Sequence, residues 1–120
     1  MALSTGTVTV KDSWYDMRQE VVGTIAFGAN PLTYAAGGLV TPFNVPGVKS
    51  TQPPSDVWIR GIGGFIYVYV PGTDITLGKV MVFTEGTVAT NAPLIEHSVA
   101  ALVAGVSGDT ITFHAWFKIR

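Results

Sequence analysis

The end of the chain carries the cleanest pattern. Ile111, Phe113, Ala115, Phe117 and Ile119 alternate with Thr112, His114, Trp116, Lys118 and Arg120. A period of two with one apolar side predicts a strand with a single core face. Residues 57–70 are rich in Val, Ile, Phe and Tyr but broken by Gly61, Gly63 and Gly64, which predicts two strands or one long strand with a bulge. Residues 65–70 are apolar or aromatic on both faces, as expected of a strand covered on both sides. A turn at 71–74 leads to 75–84 as the hairpin partner, again apolar on both faces from Val80 to Phe83.

Shorter strands are predicted at 5–10 and 21–27, and an extended segment at 39–45, where Pro42 assigns it to a sheet edge. Residues 29–38, 46–55 and 85–92 read as loops, and 107–109 as a turn. In 93–105, Ile95, Val99, Leu102 and Val103 fall at helical spacing between Pro93 and Gly105. Residues 93–98 read equally well as a strand followed by a turn of small residues, and the β-rich surroundings favour the strand. Residues 11–20 are the most polar stretch: a linker, a turn of helix, or an arm reaching a neighbouring subunit.

About seven or eight short strands joined by Gly- and Pro-bearing loops predict an all-β chain, a single-domain antiparallel β-sandwich or jelly roll. Its 120 residues fit one domain. Residues 21–120 form the expected sandwich, and 1–20 an extended N-terminal arm or first strand. No internal repeat is present.

Charge changes the picture most. Only 12% of residues are Asp, Glu, Lys or Arg, about half the usual share. With 7 basic and 8 acidic residues scattered along the chain, no basic stripe exists to collect phosphates, so no nucleic-acid partner is expected. The mean hydropathy is high at +0.40. The longest apolar runs, 61–70 and 99–106, still fall short of the roughly 20 residues a membrane helix needs, and residues 1–6 lack the features of a signal peptide. The expectation is a domain without a membrane partner whose weakly charged surface meets other protein. With no cysteine, there is neither a disulfide framework nor a thiolate metal site.

Candidate chemistry is sparse. His97 and His114 are the only histidines, and a zinc site takes about three or four ligands. Glu96 beside His97 faces the other way on a strand, so both histidines are assigned surface or interface roles. The carboxylates Asp12, Asp16, Glu20, Asp56, Asp74, Glu85, Glu96 and Asp109 lie mostly at turns or segment ends, where Asp bonds its own backbone. Gly61-Ile62-Gly63-Gly64 lacks the Lys-Ser/Thr ending of a phosphate loop. No catalytic residue, metal ligand or cofactor is expected. Trp14, Tyr15, Trp58 and Trp116 are the candidate interface residues. With Tyr67 and Tyr69 they could instead build a sugar-binding platform, which needs about three aromatics on one face.

From Gly23 onward the chain resembles small virion proteins of tailed bacteriophages. The likeness lies in Gly23-Thr24-Ile25-Ala26-Phe27, Tyr34 and Gly37-Gly38-Leu39. It continues in Gly64-Phe65-Ile66-Tyr67-Val68-Tyr69, in Gly78-Lys79-Val80-Met81-Val82-Phe83, and in a last strand after a Gly-Asp turn. The family pattern more often has Ser or Thr before the paired glycines, where this chain has Ala36. The resemblance implies a capsid decoration (cement) protein on the virion surface, assembled in the host cytoplasm. It also implies a β-sandwich, often trimeric, with the major capsid protein as partner and no catalytic residues.

Overall fold

Strand-forming runs between frequent turns give eight strands among the described residues: β1 (Gly6–Tyr15), β2 (Arg18–Phe27), β3 (Leu39–Val40), β4 (Asp56–Arg60), β5 (Ile66–Val70), β6 (Lys79–Glu85), β7 (Leu94–Glu96) and β8 (Ile111–Lys118). One helical turn, α1 (Ala104–Ser107), precedes β8. The computed structural model describes residues 3–15, 18–28, 32–85, 94–97, 102 and 104–118. Every strand pairing is antiparallel. One sheet has the order β1-β2-β8-β4 and the other β3-β6-β5. β7 pairs the end of β6, beyond the residues that β3 pairs. The expected all-β antiparallel sandwich is the observed fold.

The core lies between the two sheets. The first contributes Val8, Val21, Ile25, Phe27, Ile111, Phe113, Ala115 and Phe117, and the second Leu39, Tyr67, Val80 and Val82. Phe43, in the connection after β3, ties the layers together. Its ring centroid lies 5.5 Å from Tyr69, 5.3 Å from Phe113 and 5.9 Å from Phe117, each edge-on. Edge-to-face contact sets the positive rim of one ring against the negative face of another. Two close approaches depend on glycine: a side chain at Gly23 would strike the Thr9 carbonyl of β1, and one at Gly78 the Tyr69 hydroxyl.

Several expectations change. The described residues of the polar stretch 11–20 are strand: β1 runs to Tyr15 and β2 starts at Arg18, so the boundary expected after residue 20 falls inside β2. Polar residues suit these strands because one side of the sheet faces solvent. Gln19, turned inward, is satisfied by donating to the Gly47 carbonyl at 2.7 Å and accepting from Lys49 N at 3.0 Å.

The 57–70 segment is two strands in different sheets, joined by an arch at 61–65. Asp109 pins that arch, accepting from the Ile62 and Gly63 N–H groups at 2.9 Å each and from the Tyr67 hydroxyl at 2.7 Å. β5 is covered on one side only: Tyr67 faces the core, while Ile66, Val68 and Val70 are exposed. In 93–105 the strand β7 is followed later by the helical turn α1. Residues 98–101 and 103 lie outside the described residues, as does most of the loop expected at 85–92. β8 alternates as read, with Ile111, Phe113, Ala115 and Phe117 buried; Ile119 and Arg120 lie outside the described residues.

Candidate functional site

Cross-strand partners in a sheet project to the same side, so the pairing registers show what meets on the outer face of the first sheet. One row reads Trp14, Glu20, Trp116, Asp56, and the next Asp12, Val22, His114, Trp58. Four strands thereby bring all three tryptophans of the chain and one of its histidines to a single face.

Trp14 reaches that face through a bulge. Val10 faces inward with its partner Gly23, and strict alternation would turn Trp14 inward with it. The register shifts between Val10 and Asp12, leaving Lys11 as the additional residue. One extra residue exchanges the two faces of everything beyond it. Asp12 and Trp14 consequently point out, and Ser13 in.

The rings form a connected strip. His114 stacks on Trp116 with centroids 4.1 Å apart and planes 11° from parallel. Trp58 stands 5.6 Å from Trp116 at 69°, and Trp14 lies 6.4 Å from His114 at 40°. Carboxylates hold two indoles: Trp116 Nε1 donates to Glu20 Oε1 at 2.9 Å, and Trp58 Nε1 to Asp56 Oδ2 at 3.3 Å. Glu20 Oε2 also stands 3.9 Å from His114 Nε2. The central pair therefore turns its faces on itself. The ends protrude, with Trp58 67% and Trp14 49% exposed. Of the four candidate interface residues, the structure joins Trp14, Trp58 and Trp116. Tyr15 is represented by its backbone, paired with Gln19; its side chain lies outside the described part of the structure. Tyr67 and Tyr69 point to the opposite side of the sandwich wall and take no part in the strip.

The other sequence candidates serve the fold. His97 is buried, which corrects its assignment to the surface. Its ring packs 4.9 Å from Tyr34, and its backbone N–H donates to the Val82 carbonyl. Glu96 accepts from the Tyr34 hydroxyl at 2.6 Å and from Gly37 N at 2.8 Å. Burial, then the bond to Glu96, pushes the Tyr34 hydroxyl pKa well up, so it stays a neutral donor. Tyr34 and Asp109 are fixing points whose roles the sequence did not show, since it offered Tyr34 only within the resemblance and Asp109 only as a turn carboxylate. Each sits near a glycine turn, but their partners are distant in the chain.

A cleft of about 630 Å³ opens between β4 and β5, with Tyr67, Tyr69, Phe113 and Arg60 among its lining. The Tyr69 hydroxyl is buried there with no hydrogen-bond partner among the described residues, and burial raises its pKa to about 12. Among the described residues no group of three or more His, Asp or Glu could hold a metal ion, and no helix is long and apolar enough to cross a membrane. Comparison with protein-family models, curated proteins and solved structures finds no match to this chain.

Proposed function

We propose that this chain is a structural virion protein, a capsid decoration protein that attaches to the outside of a tailed-phage shell through the tryptophan face of its first sheet. The observation that carries the reading is the convergence of Trp14, Trp58 and Trp116 on one outward surface, together with the resemblance from Gly23 onward. Tryptophan and arginine are enriched where proteins meet, and a few such anchors dominate binding. Protruding Trp58 and Trp14 are the anchors here. Arg18 and Lys118, paired at one end of the same face, and Arg60 beyond Trp58 supply a polar rim. A shell under pressure from packed DNA gains from many small bridges, because repetition on a lattice makes modest contacts collectively strong.

The partner is the major capsid protein and the attached unit a homo-oligomer, for which the resemblance implies three copies. The virion surface is the proposed location, and catalysis has no part in the role. Shells assembled without the protein provide the test. The chain should bind them, and Trp58→Ala with Trp14→Ala should abolish binding. Failure of the unaltered chain to bind would refute the reading. Image reconstruction of the particle separates a capsid position from the alternative of a tail, fibre or baseplate.

A carbohydrate-binding module is a second reading, favoured by one observation: three tryptophans do share a face. Their geometry weighs against it, because sugar rings stack on open aromatic faces and the Trp116 face is occupied by His114. Glycan-array binding lost in Trp58→Ala or Trp116→Ala would favour this second reading over the first.

A further inference from the structure

Both sheets end on the same side of the molecule. β4 closes one strand order and β5 the other, and among the described residues neither pairs with a further strand. The 61–65 arch joins them, with Gly63 at its middle. Trp58 and Val68, the central residues of β4 and β5, line the same cleft between the two strands.

Unpaired edges invite pairing, and proteins usually guard them with Lys, Pro or a bulge. β5, Ile-Tyr-Val-Tyr-Val, has none of these. Its outward residues Ile66, Val68 and Val70 are 47%, 44% and 38% exposed.

Both edges match themselves. Paired antiparallel with its own copy about Val68, β5 sets Ile66 against Val70, Tyr67 against Tyr69 and Val68 against Val68. Paired about Trp58, β4 sets Asp56 against Arg60, Val57 against Ile59 and Trp58 against Trp58. Each register puts like apolar groups together, and the second puts opposite charges together twice. The two-fold axis of an antiparallel pair stands perpendicular to its sheet. One axis serves both sheets when it passes Trp58 and Val68 together, the two strand centres that line the shared cleft.

We infer that the β4–β5 side binds a second copy of this chain across a two-fold axis, extending both sheets through the dimer. Each cleft then opens onto its counterpart and is shielded from solvent. The tryptophan strip runs on through Trp58 into the strip of the second copy, doubling the anchors on one face. The inference stands apart from the capsid reading and predicts two copies where the resemblance implies three.

Native mass spectrometry and sedimentation of the purified chain test it without shells. The unaltered protein should have the mass of two chains. Asp56→Arg or Arg60→Asp opposes like charges at two symmetric positions, and each should weaken self-association about tenfold or more. The Asp56→Arg/Arg60→Asp double variant restores complementarity and should recover the dimer. Val68→Lys, at an exposed position, sets two cations at the axis and should give single chains that remain folded by circular dichroism. A single-chain or three-chain mass for the unaltered protein overturns the inference, as does a double variant no tighter than the singles. A dimer that fails to bind shells would remove the capsid reading and leave the interface standing.

Discussion

Asp109 offers a direct test of how the arch between the sheets is held. Its Oδ1 accepts from the Ile62 and Gly63 N–H groups, and its Oδ2 from the Tyr67 hydroxyl. Tyr67 is only 6% exposed, so Asp109→Ala leaves its hydroxyl inside the protein without this acceptor. A hydrogen bond to a charged group contributes about 1.5–3 kcal/mol. The two arch N–H groups are at the surface, where water replaces the carboxylate, and add less than about 1 kcal/mol. Asp109→Ala should therefore cost about 2–4 kcal/mol, out of roughly 6–18 kcal/mol for a domain of this length.

Urea unfolding at neutral pH measures that loss. Tyr67→Phe should cost about 1.5–3 kcal/mol, and the double variant less than the sum of the singles, because both changes remove the same bond. Acid adds a second signature. Burial alone would raise the Asp109 pKa, but the bonds from Tyr67 and the Ile62, Gly63 and Thr110 N–H groups outweigh it and hold the pKa below 3.8. The folded state thus favours the carboxylate. Its contribution is complete above the ordinary value, fades as pH falls through the lowered one, and is missing at every pH in Asp109→Ala. A loss under about 0.5 kcal/mol, or strict additivity with Tyr67→Phe, would refute the account of the arch.

Other positions give further outcomes. Phe43→Ala removes the ring between the sheets and should cost about 3–5 kcal/mol in the same unfolding assay. Tyr34→Phe strips a donor from Glu96 and an acceptor from the Val82 N–H, at 3.2 Å. Calorimetry should show a loss of about 1–3 kcal/mol. Trp14→Ala changes an exposed residue on β1, away from the β4–β5 side, so thermal unfolding should stay within about 0.5 kcal/mol of the unaltered protein while partner binding weakens.

The parts of the fold legible in the sequence are those set by local periodicity. β8 shows its two faces because each side chain reports its own environment, and the glycine-interrupted 57–70 run was readable as two strands. That these strands belong to different sheets was not readable, since the arch depends on Asp109, more than forty residues away in the chain. Residues 65–70, apolar on both faces, suggested cover on both sides. The single chain provides one of them, on the Tyr67 side, while Ile66, Val68 and Val70 stay exposed on the other.

The tryptophan face was out of reach for a related reason. Its members come from β1, β4 and β8, so their meeting is fixed by strand order and register, which no local pattern encodes. Trp14 shows the difficulty most sharply. Alternation counted from Val10 puts it in the core, and only the additional residue at Lys11 turns it out to join His114 and Trp116. Deleting Lys11 would then carry Trp14 to the inner face, or force the pairing beyond Val10 apart, while leaving the composition of the strand almost untouched. A face assembled in this way depends on the count of residues between its anchors as much as on the anchors themselves.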